Sequence, residues 1–140
     1  MLSAYPACFF KEEHGYSVIF PDLNYLATSG DTLEEALTMA VDCLAGYLYA
    51  CHRDGDIIPA ASDISAIQPE KVAKELEFET ASAFVNIITV DVAEYAKKHF
   101  EKSVKKTLTI PAWLNDIAVA NHVNFSQTLQ EALKQQLHLG

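Results

Sequence analysis

Carboxylates, histidines and cysteines are the side chains here that could do covalent or metal chemistry, and their spacing argues against it. A two-metal nuclease needs several carboxylates converging on one point. The apolar run 4–11 holds no Asp or Glu, and Asp22 and Asp91 stand singly at the ends of extended runs. Glu34 and Glu35 sit where a helix begins and are explained by its dipole. His14, His52 and His99 have no nucleophile at a motif spacing, and no glycine-rich phosphate loop occurs. Cys51-His52 is a single adjacent pair without a second pair to complete a metal site. Cys8, Cys43 and Cys51 are an odd set with no paired spacing, so reduced thiols are expected. No catalysis, metal or cofactor is expected from these residues. Recognition chemistry is more legible. From Val104 to Ile110, Val104, Lys106, Leu108 and Ile110 share one face of an alternating run, and Lys105, Thr107 and Thr109 share the other. A lone strand cannot satisfy its own backbone. The simplest partner is the same strand from a second copy, and two such strands make a ribbon that fits the DNA major groove.

The elements that must position these residues follow from periodicity and punctuation. Residues 4–11, 16–20 and 25–28 read as strands, broken by Glu12-Glu13-His14-Gly15, Pro21-Asp22 and Ser29-Gly30. Asp31 or Thr32 caps a helix with Glu34 and Glu35 in its first turn. Leu33, Leu37, Ala40, Val41, Leu44, Leu48 and Cys51 recur at helical spacing, and Asp54-Gly55-Asp56 ends the helix. Residues 60–82 are undecided, with a short helix from Pro69 to Leu76. Phe84–Val90 reads as a fourth strand. The fold class is therefore α+β, in the order β-β-β-α-β, with one helix packed on a small sheet. Residues 1–90 form one domain, and 91–102 are a linker with helical potential. Residues 103–140 form a strand, a proline, two amphipathic helices and a four-residue break. Trp113, Leu114, Ile117 and Ala118 stripe the first of those helices, and Leu129, Ala132, Leu133 and Leu137 the second.

Charge divides along the same line. Residues 1–102 hold seven Lys/Arg against seventeen Asp/Glu, net −10, whereas 103–140 hold three against two, net +1. Phosphate attraction drives nucleic-acid binding, so the acidic part is unsuited to it and better matched to a basic protein. No apolar run reaches membrane-spanning length and no leader pattern opens the chain, so residence in the cytoplasm is expected.

Two resemblances give these readings a name. Thr107-Leu108-Thr109-Ile110-Pro111, the two apolar stripes, and Asn124-Phe125-Ser126 at the second helix start resemble the ribbon-helix-helix repressors. The resemblance implies that Lys105, Thr107 and Thr109 read bases, and that Asn124 and Ser126 lie where helix N-terminal amides hold a phosphate. This chain departs from that family in having two threonines where Arg, Asn or Gln is frequent, which implies shorter contacts. Further upstream, G-Y-S-V-I-F-P-D-L (15–23) followed by G-D-T-L-E-E-A (30–36) is similar to the HicB antitoxins. That similarity implies a partly degraded RNase-H-like or double-stranded-RNA-binding-like domain. Its role would be to mask a small basic mRNA-cleaving toxin of the HicA kind, with repression of its own operon through the DNA-binding tail. Glu12, Glu13 and Asp22 flank exposed strand ends and are the expected toxin contacts. On the residues alone, two readings stay open beside this one: a ribbon-helix-helix regulator with a ligand-sensing N-terminal domain, and an interaction protein that never touches DNA.

Overall fold

Seven consecutive residues of the first strand, Ala4 to Phe10, are non-charged and mostly bulky, so this strand is committed to the interior on both faces. In the computed structural model, which describes residues 1–79, 82–101 and 103–139, it lies inside a four-stranded antiparallel sheet of order β3-β2-β1-β4. The strands are β1 (Leu2–Glu12), β2 (Gly15–Phe20), β3 (Leu26–Gly30) and β4 (Ser82–Asp91). The helices are α1 (Leu33–Asp54), α2 (Pro69–Glu75), α3 (Val92–His99), α4 (Ala112–Ala120) and α5 (Phe125–Gln136). The α+β order β-β-β-α-β holds, with β3 starting at Leu26 because Asn24 and Tyr25 turn the chain through left-handed backbone, both at φ 57°.

Pleating sorts the core into two layers. Tyr5, Ala7, Phe9, Val18, Phe20, Ile88 and Val90 face α1, where Ala36, Ala40, Leu44, Ala45 and Leu48 meet them. The alternate residues Cys8, Phe10 and Ile19 face the other way, onto Val72 and Ala73 of α2 with Ile67 and Phe78 beside them. The expectation of one packed helix is corrected on this point. A strand apolar on both faces needs two covers, and α2 is the second. Burial pushes the Cys8 thiol up to about 11, with the Glu70 charge adding to the effect.

Helix α1 begins as its sequence requires. Thr32 Oγ1 accepts from the Glu35 amide at 3.1 Å, and Gly55 ends the helix at φ 71°. Leu33, expected in the stripe, is 40% exposed, and Ala36 and Ala45 join the expected Ala40, Leu44 and Leu48 in the contact. Gly30 lies so close to this helix that a Cβ there would stand 2.4 Å from the Ala36 nitrogen.

Residues 91–102, expected as a linker, carry α3. Asp91 caps it by accepting from the Glu94 amide at 3.2 Å. Tyr95 donates to Asp42 of α1 at 2.9 Å, and its ring and that of Phe100 pack against the first core layer. The chain accordingly divides into two compact units, Met1–Lys102 and Ser103–Gly140.

Candidate partner and nucleic-acid surfaces

The β1–β2 hairpin carries Glu12 and Glu13 to an exposed tip. Gly15, at φ 110°, closes the turn, a conformation L residues avoid. The Glu12 carboxylate accepts from the Ser17 hydroxyl, and Glu13 stays in solvent 4.0 Å from His14. Beside the tip lies an open groove of about 730 Å³ with Ile19, Leu76 and Phe78 as an apolar floor and Lys11, Glu12, Glu13, Ser17 and Glu79 around it. Phe10 supports this floor from beneath, meeting the Phe78 ring edge-on at 4.8 Å. Leu76, Phe78 and Glu79 belong to the stretch 60–82, which has no clear periodicity in the sequence. Their one signal there is the alternation Leu76-Glu77-Phe78-Glu79, of which Leu76, Phe78 and Glu79 line the groove from outside any strand or helix.

Asp22 is differently employed. Its carboxylate accepts from the Ser62 amide at 2.8 Å and the Ser62 hydroxyl at 2.6 Å. It fastens the long connection after α1, which Tyr5 also holds through a 2.6 Å bond to the Pro59 carbonyl. Tyr25 donates to Glu75, which raises the phenol's pKa and ties the β2–β3 turn to α2.

The second unit presents the nucleic-acid candidates. Residues 103–110 form no strand ladder within the single chain, and Lys105, Thr107 and Thr109 are exposed. So are the apolar residues meant for the other face: Val104 is 78% and Leu108 63% accessible. The helices α4 and α5 form where expected, yet Trp113, Leu114, Ile117, Leu133 and Leu137 are all exposed. Among the described residues of this unit none is buried, and only Ala118 and Leu129 are half-buried. Asn124 caps α5, its Oδ1 accepting from the Gln127 amide at 3.0 Å. Ser126 lies in the first turn and accepts from Gln130 at 3.4 Å. The structure thus brings Asn124 and Ser126 together at one helix start, and sets Lys105, Thr107 and Thr109 in one exposed segment.

Among the described residues no three His, Cys, Asp or Glu gather as a metal site, and no helix is long and apolar enough to cross a membrane. The family described as "HicB_like antitoxin of bacterial toxin-antitoxin system" matches residues 5–133. Antitoxin HicB 2 of Photorhabdus laumondii is 43% identical over 58 residues, which are 41% of this chain and 42% of that antitoxin. A chain of a toxin–antitoxin complex from Streptococcus pneumoniae is 32% identical, covers 97% of this chain and 99% of its own length, and superimposes with a TM-score of 0.64. The Burkholderia pseudomallei antitoxin HicB shares the fold, with a TM-score of 0.51 at 20% identity over 96% of this chain and 98% of that one. This is a family of antitoxins and not of enzymes, in keeping with the scattered carboxylates and histidines. With a match running from the first strand to the last helix, the chain belongs to the HicB-like antitoxins of bacterial toxin–antitoxin systems.

Proposed function

We propose that residues 1–102 bind and mask a small basic HicA-like toxin, and that residues 103–139 pair with a second copy into a ribbon-helix-helix module that binds operator DNA. The observation that carries this reading is the second unit's lack of any buried residue among those described. Two amphipathic helices with their apolar stripes in water are not a stable fold. A second copy lays Leu108 and Ile110 against a matching strand and covers both stripes at once, leaving Lys105, Thr107 and Thr109 on the outer face of the ribbon. Asn124 and Ser126 then offer the α5 amides to a phosphate.

For the first unit, a net charge of −10 and a groove carrying three glutamates against one lysine support a basic toxin. Glu12 and Glu13 are the proposed contacts at the hairpin tip. Asp22, expected beside them, remains a proposed contact and also accepts from Ser62 within the unit. The strand order and one long helix are what a reduced RNase-H-like or double-stranded-RNA-binding-like domain would retain. In the triple variant Lys105→Ala, Thr107→Ala, Thr109→Ala, gel-shift affinity for the operator should fall, by about 1–3 kcal/mol for each good base interaction that the variant removes. Circular dichroism should not change. Unaltered affinity in that variant would reject the strand as the reading element. Co-purification of a short basic protein with the intact chain separates the masking role from a ligand-sensing regulator.

A further inference from the structure

Half of the cations of this chain stand in one short run. Residues 97–106 read KKHFEKSVKK and hold five of the ten Lys and Arg against Glu101 alone, net +4. Residues 1–96 hold four against sixteen Asp and Glu, net −12. Given the operator reading proposed above, on which this rests, we infer that Lys97 and Lys98 bind duplex phosphates beside the bases that the C-terminal ribbon reads.

Helix α3 holds the pair outward. Ala96 is buried, and Tyr95 is fixed by its bond to Asp42 of α1. Lys97 and Lys98, on the last turn, are exposed. Lys97 meets Glu94 at 3.4 Å, a solvent-exposed pairing of little strength. Lys98 forms no ion pair or hydrogen bond among the described residues. Cations on a last turn also favour the helix dipole, but that effect fades within the turn. It gives no reason for Lys105 and Lys106, which continue the run beyond the end of α3.

Chain length keeps the pair near the duplex. Lys105 follows Lys98 by seven residues, which span at most about 25 Å when fully extended. With the Lys105 strand in the major groove, the end of α3 is tethered within about seven base pairs of the bases read, at about 3.4 Å a step. A lysine that neutralises a phosphate releases counterions and reads no sequence. Two lysines from each copy bring four such groups to the duplex, between it and the acidic body that precedes them.

The test titrates the full chain against its own promoter fragment, and against a scrambled duplex of equal length, from about 50 to 200 mM salt. In Lys97→Gln, Lys98→Gln the slope of log affinity against log salt should become shallower by about 3–4, for four lost phosphate contacts. Preference for the promoter over the scrambled duplex should not change. Lys98→Gln alone, which breaks no ion pair, should give half that change, and Lys97→Arg, Lys98→Arg should keep the slope. Lys71→Gln, Lys74→Gln removes the same charge from exposed positions of α2 and should leave the slope as it is. An equal change in the α2 variant would lay the effect on overall charge and overturn the inference. An unchanged slope in the α3 variants also overturns it, with the operator reading still standing. So does a loss seen on single-stranded RNA and not on the duplex. If the natural chain does not prefer its promoter, the operator reading fails and takes this one with it.

Discussion

At the scale of single residues, one glycine sets how closely the sheet and α1 approach. A methyl group on Gly30 would come 2.4 Å from the Ala36 nitrogen and 2.8 Å from its Cα, both backbone atoms that cannot swing aside. Gly30→Ala should therefore destabilise the first unit by about 1–3 kcal/mol, as overpacked cores do. Gly46 supplies the contrast. It lies within α1, and an added Cβ there would meet only the Phe100 ring edge at 3.9 Å. Gly46→Ala should stabilise by about 0.5–1 kcal/mol through helix propensity and a less flexible unfolded chain. Urea unfolding of the two variants checks the pair; equal shifts would mean that the close approach at Gly30 is not felt. The same contact gives the string from Gly30 to Ala36 a physical reason: a bare backbone, a capping Thr32, and an alanine where the helix touches the strand.

Among the elements, α3 is the one whose role differs most from expectation. Its eight residues read as a joiner because Lys97, Lys98 and His99 make its last turn polar. Tyr95 and Phe100 nevertheless close over α1, at a 5.5 Å ring separation from each other. A chain cut after residue 90 should lose this cover and unfold at lower urea concentration than one cut after residue 101. The longer piece should retain toxin binding and lose DNA binding. Equal stability of the two pieces, by circular dichroism, would return α3 to the status of a linker. Strands, caps and α1 were legible because each has a local signal: alternation, a hydroxyl before paired glutamates, and a glycine stop. The groove was not. Phe78 and Leu76 lie outside regular structure, and Phe10, which packs on Phe78, is 68 residues away in the first strand, a pairing that only the folded sheet creates. The bond of Asp22 to Ser62 was not legible for a similar reason, since it spans 40 residues.

For the molecule as a whole, the proposed function implies that charge should couple the two units. Bringing two bodies of net −10 to a polyanion should weaken operator binding by the free protein. A bound basic toxin would cancel part of that charge. Operator affinity should therefore rise on addition of toxin up to a matched ratio, and more at about 50 mM salt than at about 200 mM, where screening is stronger. Titrations at the two salt concentrations check this. No toxin effect at either would make the units electrostatically independent.

The bare apolar stripes of the second unit also bear on dose. A core shared between two chains forms only when they meet, so its folding is second order, and when dimers are scarce halving the chain concentration lowers them roughly fourfold. The first unit has its own core, with Phe9, Phe10, Phe20 and Leu44 sealed from water, and folds at any dilution. On the function proposed above, depletion of the protein should therefore release the operator before the toxin, so that transcription would resume while the remaining copies still neutralise.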